Sequence, residues 1–440
     1  MTPTWAEMWA VWGRVAALSF GGPAAQIGVM HRIVVDERKW VSPTRFAHAL
    51  NFCMLLPGPE AMQLATFLGW WKRGVLGGLL AGGLFVLPGF VSLLCLSALY
   101  VTLGTVSWFV AALVGFKAAV LPIVAEAVHR IGKKVLRNDV MRGIACVSFV
   151  IMAVTTVPFP LVVAVAAGFG AVGARLDPAR FVLLGGASGE VDDPAPAHTA
   201  PSLKRALVTA TVCTTLWWAP VATCWLVTGP EHVLTRLGLF FSKVAMVTFG
   251  GAYAVLGYVG DVAVNQYRWV TAPEMVDGLG MAESTPGPLI QVVQFVGFLA
   301  AWRNPGALDP WVAAIVASLL VTWVTYTPCF LWVFTGGPWV EALARVPVVQ
   351  GALSALTAAV VGVVARLGAW FALHVLFSDI GVLSGPGPFS VPWPNLSSFQ
   401  PVPAGIAVLA GIALHRFGVG VTLIGSAILA LAVHGAGLAR

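Results

Sequence analysis

Apolar residues run through this chain in long blocks, with little of the alternation that marks half-buried strands. Runs of about 20 residues, the length that crosses the hydrocarbon of a bilayer, cover 75–100, 107–128, 206–228, 308–335 and 348–371. Shorter paired runs occupy 141–157 with 159–174, and 404–416 with 418–434. Other runs are interrupted by glycine and proline. A helix over Trp5–Phe20 is predicted to stop or kink at Gly21-Gly22-Pro23, because glycine weakens it and proline removes a backbone donor. It resumes from Pro23 toward Met30, since proline is tolerated in a first turn. Apolar pieces at 43–56 and 60–71 flank Pro57-Gly58-Pro59. Neither alone crosses ~30 Å of hydrocarbon at about 1.5 Å per residue. They therefore form a broken spanning helix or a re-entrant hairpin, either of which needs protein or a cavity around it.

This pattern is written twice. Phe20-Gly21-Gly22 returns as Phe249-Gly250-Gly251, Trp40 as Trp269, and Pro57-Gly58-Pro59 as Pro286-Gly287-Pro288, each 229 residues further on. A cation stands two turns before the first motif in both copies, Arg14 and Lys243. Pro328 answers Pro88, and Arg366 answers Arg130. The reading is thus an all-α polytopic membrane protein: a first repeat over 1–174, a linker over 175–205, an additional transmembrane helix at 206–228 and a second repeat over 229–440. An insertion at about 372–403, rich in Pro, Gly and Trp, is placed as an extramembrane loop. If the Pro57 element spans, seven crossings separate the repeat starts and the copies are inverted; if it is re-entrant, six do and they are parallel. Basic residues at 32–45 and 72–73 favour the re-entrant version, and the precedent of cavity-forming inverted repeats favours the other. Inversion is the version adopted.

Composition removes the soluble classes. Of 440 residues 58% are hydrophobic and 10% charged, against about 25% charged in soluble domains, and mean hydropathy is +0.88. The net charge of +7 lies mostly in short loops, where it orients membrane insertion and does not point to a nucleic-acid partner; the partner is the lipid bilayer. The run His129-Arg130 to Arg137, with Arg142 beyond, is the strongest cytoplasmic marker. Six cysteines, among them Cys53 and Cys329, are scattered in apolar runs without a CxxC pair and read as small buried hydrophobes. No cofactor or metal is expected, and no phosphate-binding loop suggests direct ATP drive. Glu7 and the lack of a basic leader argue against a cleaved signal peptide.

A helix broken inside a membrane leaves unpaired N–H groups at the start of its second half, and with the macrodipole these attract an anion. Such ends follow Gly21, Gly22 and Pro23, then Pro57, Gly58 and Pro59, then Gly250 and Gly251, and finally Pro286, Gly287 and Pro288. With Arg14 and Lys243, each costing roughly 2.5–3.5 kcal/mol at mid-bilayer unless compensated, they outline a positive midplane cavity for a small anion. The plainer alternative has both cations snorkelling, or paired with Glu60 or Glu283. Gln26, Gln63, Gln291 and Gln294 supply polar lining. Glu60 beside such a site either repels the anion or accepts a proton, which makes it the candidate coupling group, unless it only caps the helix dipole. Its counterpart is Leu289. His48 and Asp277, at equivalent places, are candidate walls, whereas Glu126, His129 and Lys117 read as interfacial anchors.

With these motifs in place, Phe-Gly-Gly-Pro at 20–23, Pro-Gly-Pro-Glu-Ala-Met-Gln at 57–63 and Thr-Pro-Gly-Pro at 285–288, the chain resembles the chromate ion transporter (CHR) family in its long two-domain form. The resemblance implies a multi-pass carrier of the bacterial inner membrane with antiparallel halves. It would export chromate, driven by the proton motive force or by exchange with sulfate or another oxyanion. Ala252 stands where the first half has Pro23, which departs from a symmetric two-site picture. A general sulfate or oxyanion exchanger, an anion channel and, more remotely, an intramembrane enzyme using Glu60 or His129 are the competing readings. The oligomeric state is open, with a homodimer among the options.

Overall fold

The computed structural model describes residues 2–183, 196–249, 252–339, 346–385 and 389–437. In chain order the helices are α1 (Trp5–Leu18), α2 (Gly22–Met30, continued by a π-helical turn His31–Glu37), α3 (Pro43–Leu55), α4 (Glu60–Leu103), α5 (Ser107–Val135), α6 (Asp139–Val154), α7 (Phe159–Leu176) and the short α8 (Pro178–Phe181). Then come α9 (Leu203–Thr228), α10 (Val233–Val247), α11 (Ala252–Asp261, continued by a π-helical turn Val262–Gln266), α12 (Ala272–Ser284), α13 (Val292–Arg303), α14 (Pro310–Gly336), α15 (Pro347–Leu376) and α16 (Pro401–Gly435). Seven helices among the described residues are long and apolar enough to cross a membrane. The protein is a helical, polytopic membrane protein.

The insertion is a departure from expectation. α15 runs on to Leu376, and an antiparallel pair of strands, β1 (Ile380–Ser384) and β2 (Ser390–Pro394), follows where a loop was expected. Pro392 and Pro394 hide β2 in the sequence, because proline argues against a strand except at an edge.

The duplication is visible in backbone detail. Lys39 and Arg268 both hold φ of 53°, and the N–H groups of Trp40 and Trp269 are donated to Val34 O and Ala263 O at 2.9 and 2.8 Å. The compact units nonetheless cut across the repeats. One comprises Met1–Leu94, Leu184–Ala252 and Thr285–Gln350; the other comprises Cys95–Leu183, Tyr253–Ser284 and Gly351–Arg440.

In the first unit, helical hairpins dominate. The guanidinium of Arg45 on α3 lies 4.1 Å from the Trp71 ring centroid, and the Phe52 and Phe67 rings lie 5.7 Å apart, so α3 and the 60–72 arm of α4 are antiparallel. α4 breaks at Arg73 and Gly74, and its 75–94 stretch folds back on the 60–72 arm. The close approach there requires glycine: a Cβ on Gly69 would stand 2.3 Å from the Gly77 carbonyl oxygen. α1 and α2 also return on themselves, because Arg14 pairs with Glu37 at 2.5 Å and Arg38 lies within electrostatic reach of Glu7. In the second copy α13 and α14 make the matching hairpin, with Trp302 and Trp311 rings 4.7 Å apart.

Repeat orientation follows from two helices of this unit. Gly78 lies against Phe334 and Gly82 against Phe330, so α4 and its counterpart α14 pack antiparallel. Helices equivalent by sequence that run in opposite directions make the repeats inverted. The Pro57 element is nevertheless a hairpin, which by the crossing count alone makes the copies parallel. The resolution is that α1–α2 folds back as well, which removes one crossing from the six and leaves an odd number. α9 starts at the Trp70 end, where His198 bonds Trp70 O at 2.8 Å, passes Trp323, whose Nε1 is donated to Leu216 O at 2.7 Å, and ends at α10 beside Thr235.

The second unit packs α5 on α16 through small residues, which let membrane helices approach closely. A Cβ on Gly115 would stand 2.3 Å from Ser426 O, and Ala119, Ile123, Ala410, Leu414 and Leu423 form a buried cluster.

Candidate functional site

Two helix ends begin the site. α1 stops at Leu18, and the Ser19 hydroxyl is donated to Val15 O at 2.6 Å; α10 stops at Val247, and the Thr248 hydroxyl is donated to Val244 O at 2.7 Å. These hydroxyls serve their own helices, and the main-chain carbonyls of Ser19 and Thr248 accept from elsewhere. Gly21 and Gly22 then hold φ of 80° and 79°, a region glycine enters without strain, and Pro23 opens α2. Gly250 and Gly251 lie outside the described residues.

The Pro-Gly-Pro turns meet those carbonyls crosswise. Gly58 N–H is donated to Thr248 O at 2.6 Å, and Gly287 N–H is donated to Ser19 O at 2.9 Å. Ser19 and Thr248 are equivalent by the 229-residue offset, and so are Gly58 and Gly287. These bonds therefore exchange the two copies, residue i to j and j to i, the signature of a two-fold relation. The second layer is crossed too. A Cβ on Gly58 would stand 2.8 Å from Cys329 Sγ, and one on Gly287 would stand 3.1 Å from Gly89 Cα; Cys329 follows Pro328 as Gly89 follows Pro88. Gly58 at φ 130° and Gly287 at φ 108° leave no room for a side chain in conformation or in space.

Around this knot the polar residues expected in the site divide into two groups. Gln26 donates through Nε2 to Gly287 O at 2.6 Å, Gln63 to Pro57 O at 2.8 Å, Gln294 to Phe90 O at 3.1 Å and Gln291 to Thr322 Oγ1 at 3.0 Å. All four glutamines are buried, and the Oε1 atoms of Gln26, Gln63 and Gln291 have no hydrogen-bond partner among the described residues. Unsatisfied buried polar atoms are rare and call for an account. Pro57, Pro59, Pro286 and Pro288 bracket the turns, and half-buried Glu60 is the first residue of α4.

The cations stand apart from the knot. Arg14 has a side chain 51% exposed and pairs with Glu37, not with Glu60 or Glu283. Lys243 is exposed and has no ion-pair partner among the described residues.

Residues of the second unit take other roles. Lys117, expected as an interfacial anchor, holds buried Asp277 at 3.2 Å, and the Tyr100 hydroxyl is donated to the other Asp277 oxygen at 3.0 Å. The hydroxyl of Tyr253 is donated to Glu283. Sequence reasoning missed Ser19, Thr248, Gly89 and Cys329. Their signal was present in the register, which pairs Ser19 with Thr248, but a carbonyl acceptor has no residue signature.

The family model for chromate transporters matches this chain in two segments, residues 6–172 and 235–436. The chain belongs to the chromate transporter family. That places it among transporters and not enzymes, and the unmatched stretch between the segments contains α9. It is similar to the chromate transport protein of Cupriavidus metallidurans, 29% identical over 80% of this chain and 78% of that one. It is also similar to the probable chromate transport protein of Synechococcus elongatus, 30% identical over 81% and 82%. The chromate transport protein of Pseudomonas aeruginosa is 35% identical over 67% of this chain and 66% of its own length. No solved structure matches the chain.

Proposed function

We propose that this member of the chromate transporter family is a secondary transporter that exports chromate across the bacterial inner membrane. The observation that carries the reading is the pair of crossed bonds, Gly58 to Thr248 and Gly287 to Ser19. They bring helix starts of both repeats to one knot, those of α2, α4 and the turn before α13. Each helix start favours an anion by roughly 0.3–2 kcal/mol, and the buried amides of Gln26, Gln63 and Gln291 supply directional contacts that can rearrange when a tetrahedral dianion arrives. Arg14 and Lys243 act at the approach. A lone exposed lysine in mid-helix is costly in hydrocarbon, so Lys243 faces water or headgroups and draws the dianion toward the knot.

The repeats in this proposal are residues 1–174 and 229–440, joined through 175–205 and the additional helix at 206–228, and the chromate path runs along their pseudo-two-fold. Glu60, present in one copy only, is the proton-coupling group, and coupling is to the proton motive force or to a counter-moving oxyanion such as sulfate.

The test is chromate accumulation in everted vesicles under an imposed pH gradient, with and without trapped sulfate. Accumulation driven by either gradient is expected. Flux that follows the chromate gradient alone, with neither drive effective, would sink the carrier reading in favour of a channel.

A further inference from the structure

Two adjoining cavities in the first unit are unlike the knot in chemistry. The larger, about 650 Å³, is an apolar groove between α4, α9 and α14, lined by residues such as Leu79, Leu87, Val212, Leu216 and Trp323. Its walls are open: Leu87 and Val212 are each about half exposed. It extends from Val75 to Phe90, fifteen residues or about 22 Å by the helix rise, more than the roughly 15 Å of hydrocarbon depth in one leaflet. The smaller cavity, about 230 Å³, is lined by His198, Ser202 and Arg205, and it shares Val75, Thr209 and Phe334 with the groove. One space is thus apolar along its length and basic at one end.

The basic end is already organised. Arg205 donates to His198 O at 2.9 Å and to Ala200 O at 2.7 Å. Carbonyl partners fix the guanidinium without neutralising it, and among the described residues no carboxylate lies within ion-pair distance of it. Arg45 and Arg73 belong to the same end, by contacts with Trp71 and Trp5, as do Lys72 and Lys204 by chain position. Excess Lys and Arg marks the cytoplasmic side, where the leaflet carries anionic lipid.

From this geometry we propose that the first unit binds one anionic phospholipid, its phosphodiester on Arg205 and its acyl chain in the groove between α4, α9 and α14. The groove reaches Phe90 and Thr322, which accept from Gln294 and Gln291, so the site adjoins the oxyanion knot, but the proposal does not depend on the transport reading. A zwitterionic lipid fills the groove equally well but lacks the net charge that Arg205 and Lys204 complement.

Native mass spectrometry of the full chain, exchanged from detergent into phosphatidylglycerol or phosphatidylcholine with the same acyl chains, tests this. Retention of phosphatidylglycerol is expected to exceed that of phosphatidylcholine about fivefold, or about 1 kcal/mol in all. Arg205→Ala should bring the two lipids level. Because Arg205 also staples the segment before α9, Lys204→Ala, which disturbs no staple, should narrow the ratio by itself. Val212→Trp, at an exposed groove position, should lower retention of both lipids alike. Equal retention of the two lipids by the unaltered protein would overturn the proposal. So would an unchanged preference in both basic variants, or displacement of the lipid by glycerol phosphate alone, which would make the site one for a free phosphate ester.

Discussion

The two Pro-Gly-Pro turns are copies in backbone and strangers in chemistry. Gly58 and Gly287 make the same bond to equivalent carbonyls, at 2.6 and 2.9 Å, yet the surroundings diverge within two residues. After Pro59 comes Glu60; after Pro288 comes Leu289. Gln63 bonds back to Pro57 O, where the second copy has Val292. Gly58 faces a sulfur, Cys329, whereas Gly287 faces the bare backbone of Gly89. The scaffold that brings helix ends together needs both copies to be alike, because a reciprocal bond fails if either partner moves. Ion chemistry needs no such likeness, and a single titratable carboxylate beside the knot is enough to make transport respond to protons.

The largest effect is expected where the copies agree. Gly58→Ala and Gly287→Ala each place a side chain in a left-handed conformation, at a cost on the order of 1–3 kcal/mol, and each adds a contact of about 3 Å or less to a packed neighbour. Chromate uptake into everted vesicles should fall by a factor of ten or more in both, with the protein still present in the membrane by immunoblot. Gly287→Ala should be the harder to rescue, since its new neighbour is backbone and cannot swing away. A variant with wild-type uptake would remove the knot from the transport path.

Next in size are the cations. Arg14→Ala and Lys243→Ala should each reduce chromate resistance several-fold, Lys243→Ala more, because Glu37 partly offsets the charge of Arg14 while Lys243 has no partner among the described residues. Uptake at low and high ionic strength checks this: a steering role is screened by salt, so the difference between variant and parent should shrink as salt rises.

Smaller again, and confined to one copy, is Glu60→Gln. The amide keeps the size and loses the titration, so accumulation driven by a pH gradient should drop to the level seen without a gradient, while exchange against trapped sulfate persists. Leu289→Glu, its counterpart, should leave the pH response as it was. An undiminished pH drive in Glu60→Gln would assign coupling elsewhere.

The breaks, the duplication and the polytopic helical class were legible because glycine, proline and apolar length are properties of residue type. What joins the breaks was not. The bond from Gly58 to Thr248 links main chains 190 residues apart, and no side chain records it. The plainer alternative for Arg14 pairs it with distant carboxylates, whereas Glu37, within its own copy, lies at hand once α1 and α2 fold back. Lys117 looked interfacial from its position toward a basic loop, yet buried Asp277 holds it; a contact across 160 residues has no local pattern. Repeat orientation shows the same limit: one hairpin alone gives parallel copies, and the second hairpin, that of α1 and α2, reverses the parity.

The finest difference between the turns gives the smallest expected effect. Cys329→Ala removes one buried sulfur from the wall behind Gly58, and alone it should cost on the order of 1 kcal/mol by the loss of packed volume, with uptake within about twofold of the parent. Its value lies in combination. The Cβ of Gly58→Ala would stand 2.8 Å from that sulfur, and 2.7 Å from Gln63 Nε2, which sits at the end of a flexible side chain. If steric overlap is what disables Gly58→Ala, Cys329→Ala should restore part of its uptake, a coupling between touching residues that a double-mutant cycle measures. No such rescue is available to Gly287→Ala, whose obstacle is the main chain of Gly89. Additive losses in the Gly58→Ala/Cys329→Ala pair would instead assign the damage to the left-handed backbone alone, and the two turns would then be equivalent in mechanics as well as in register.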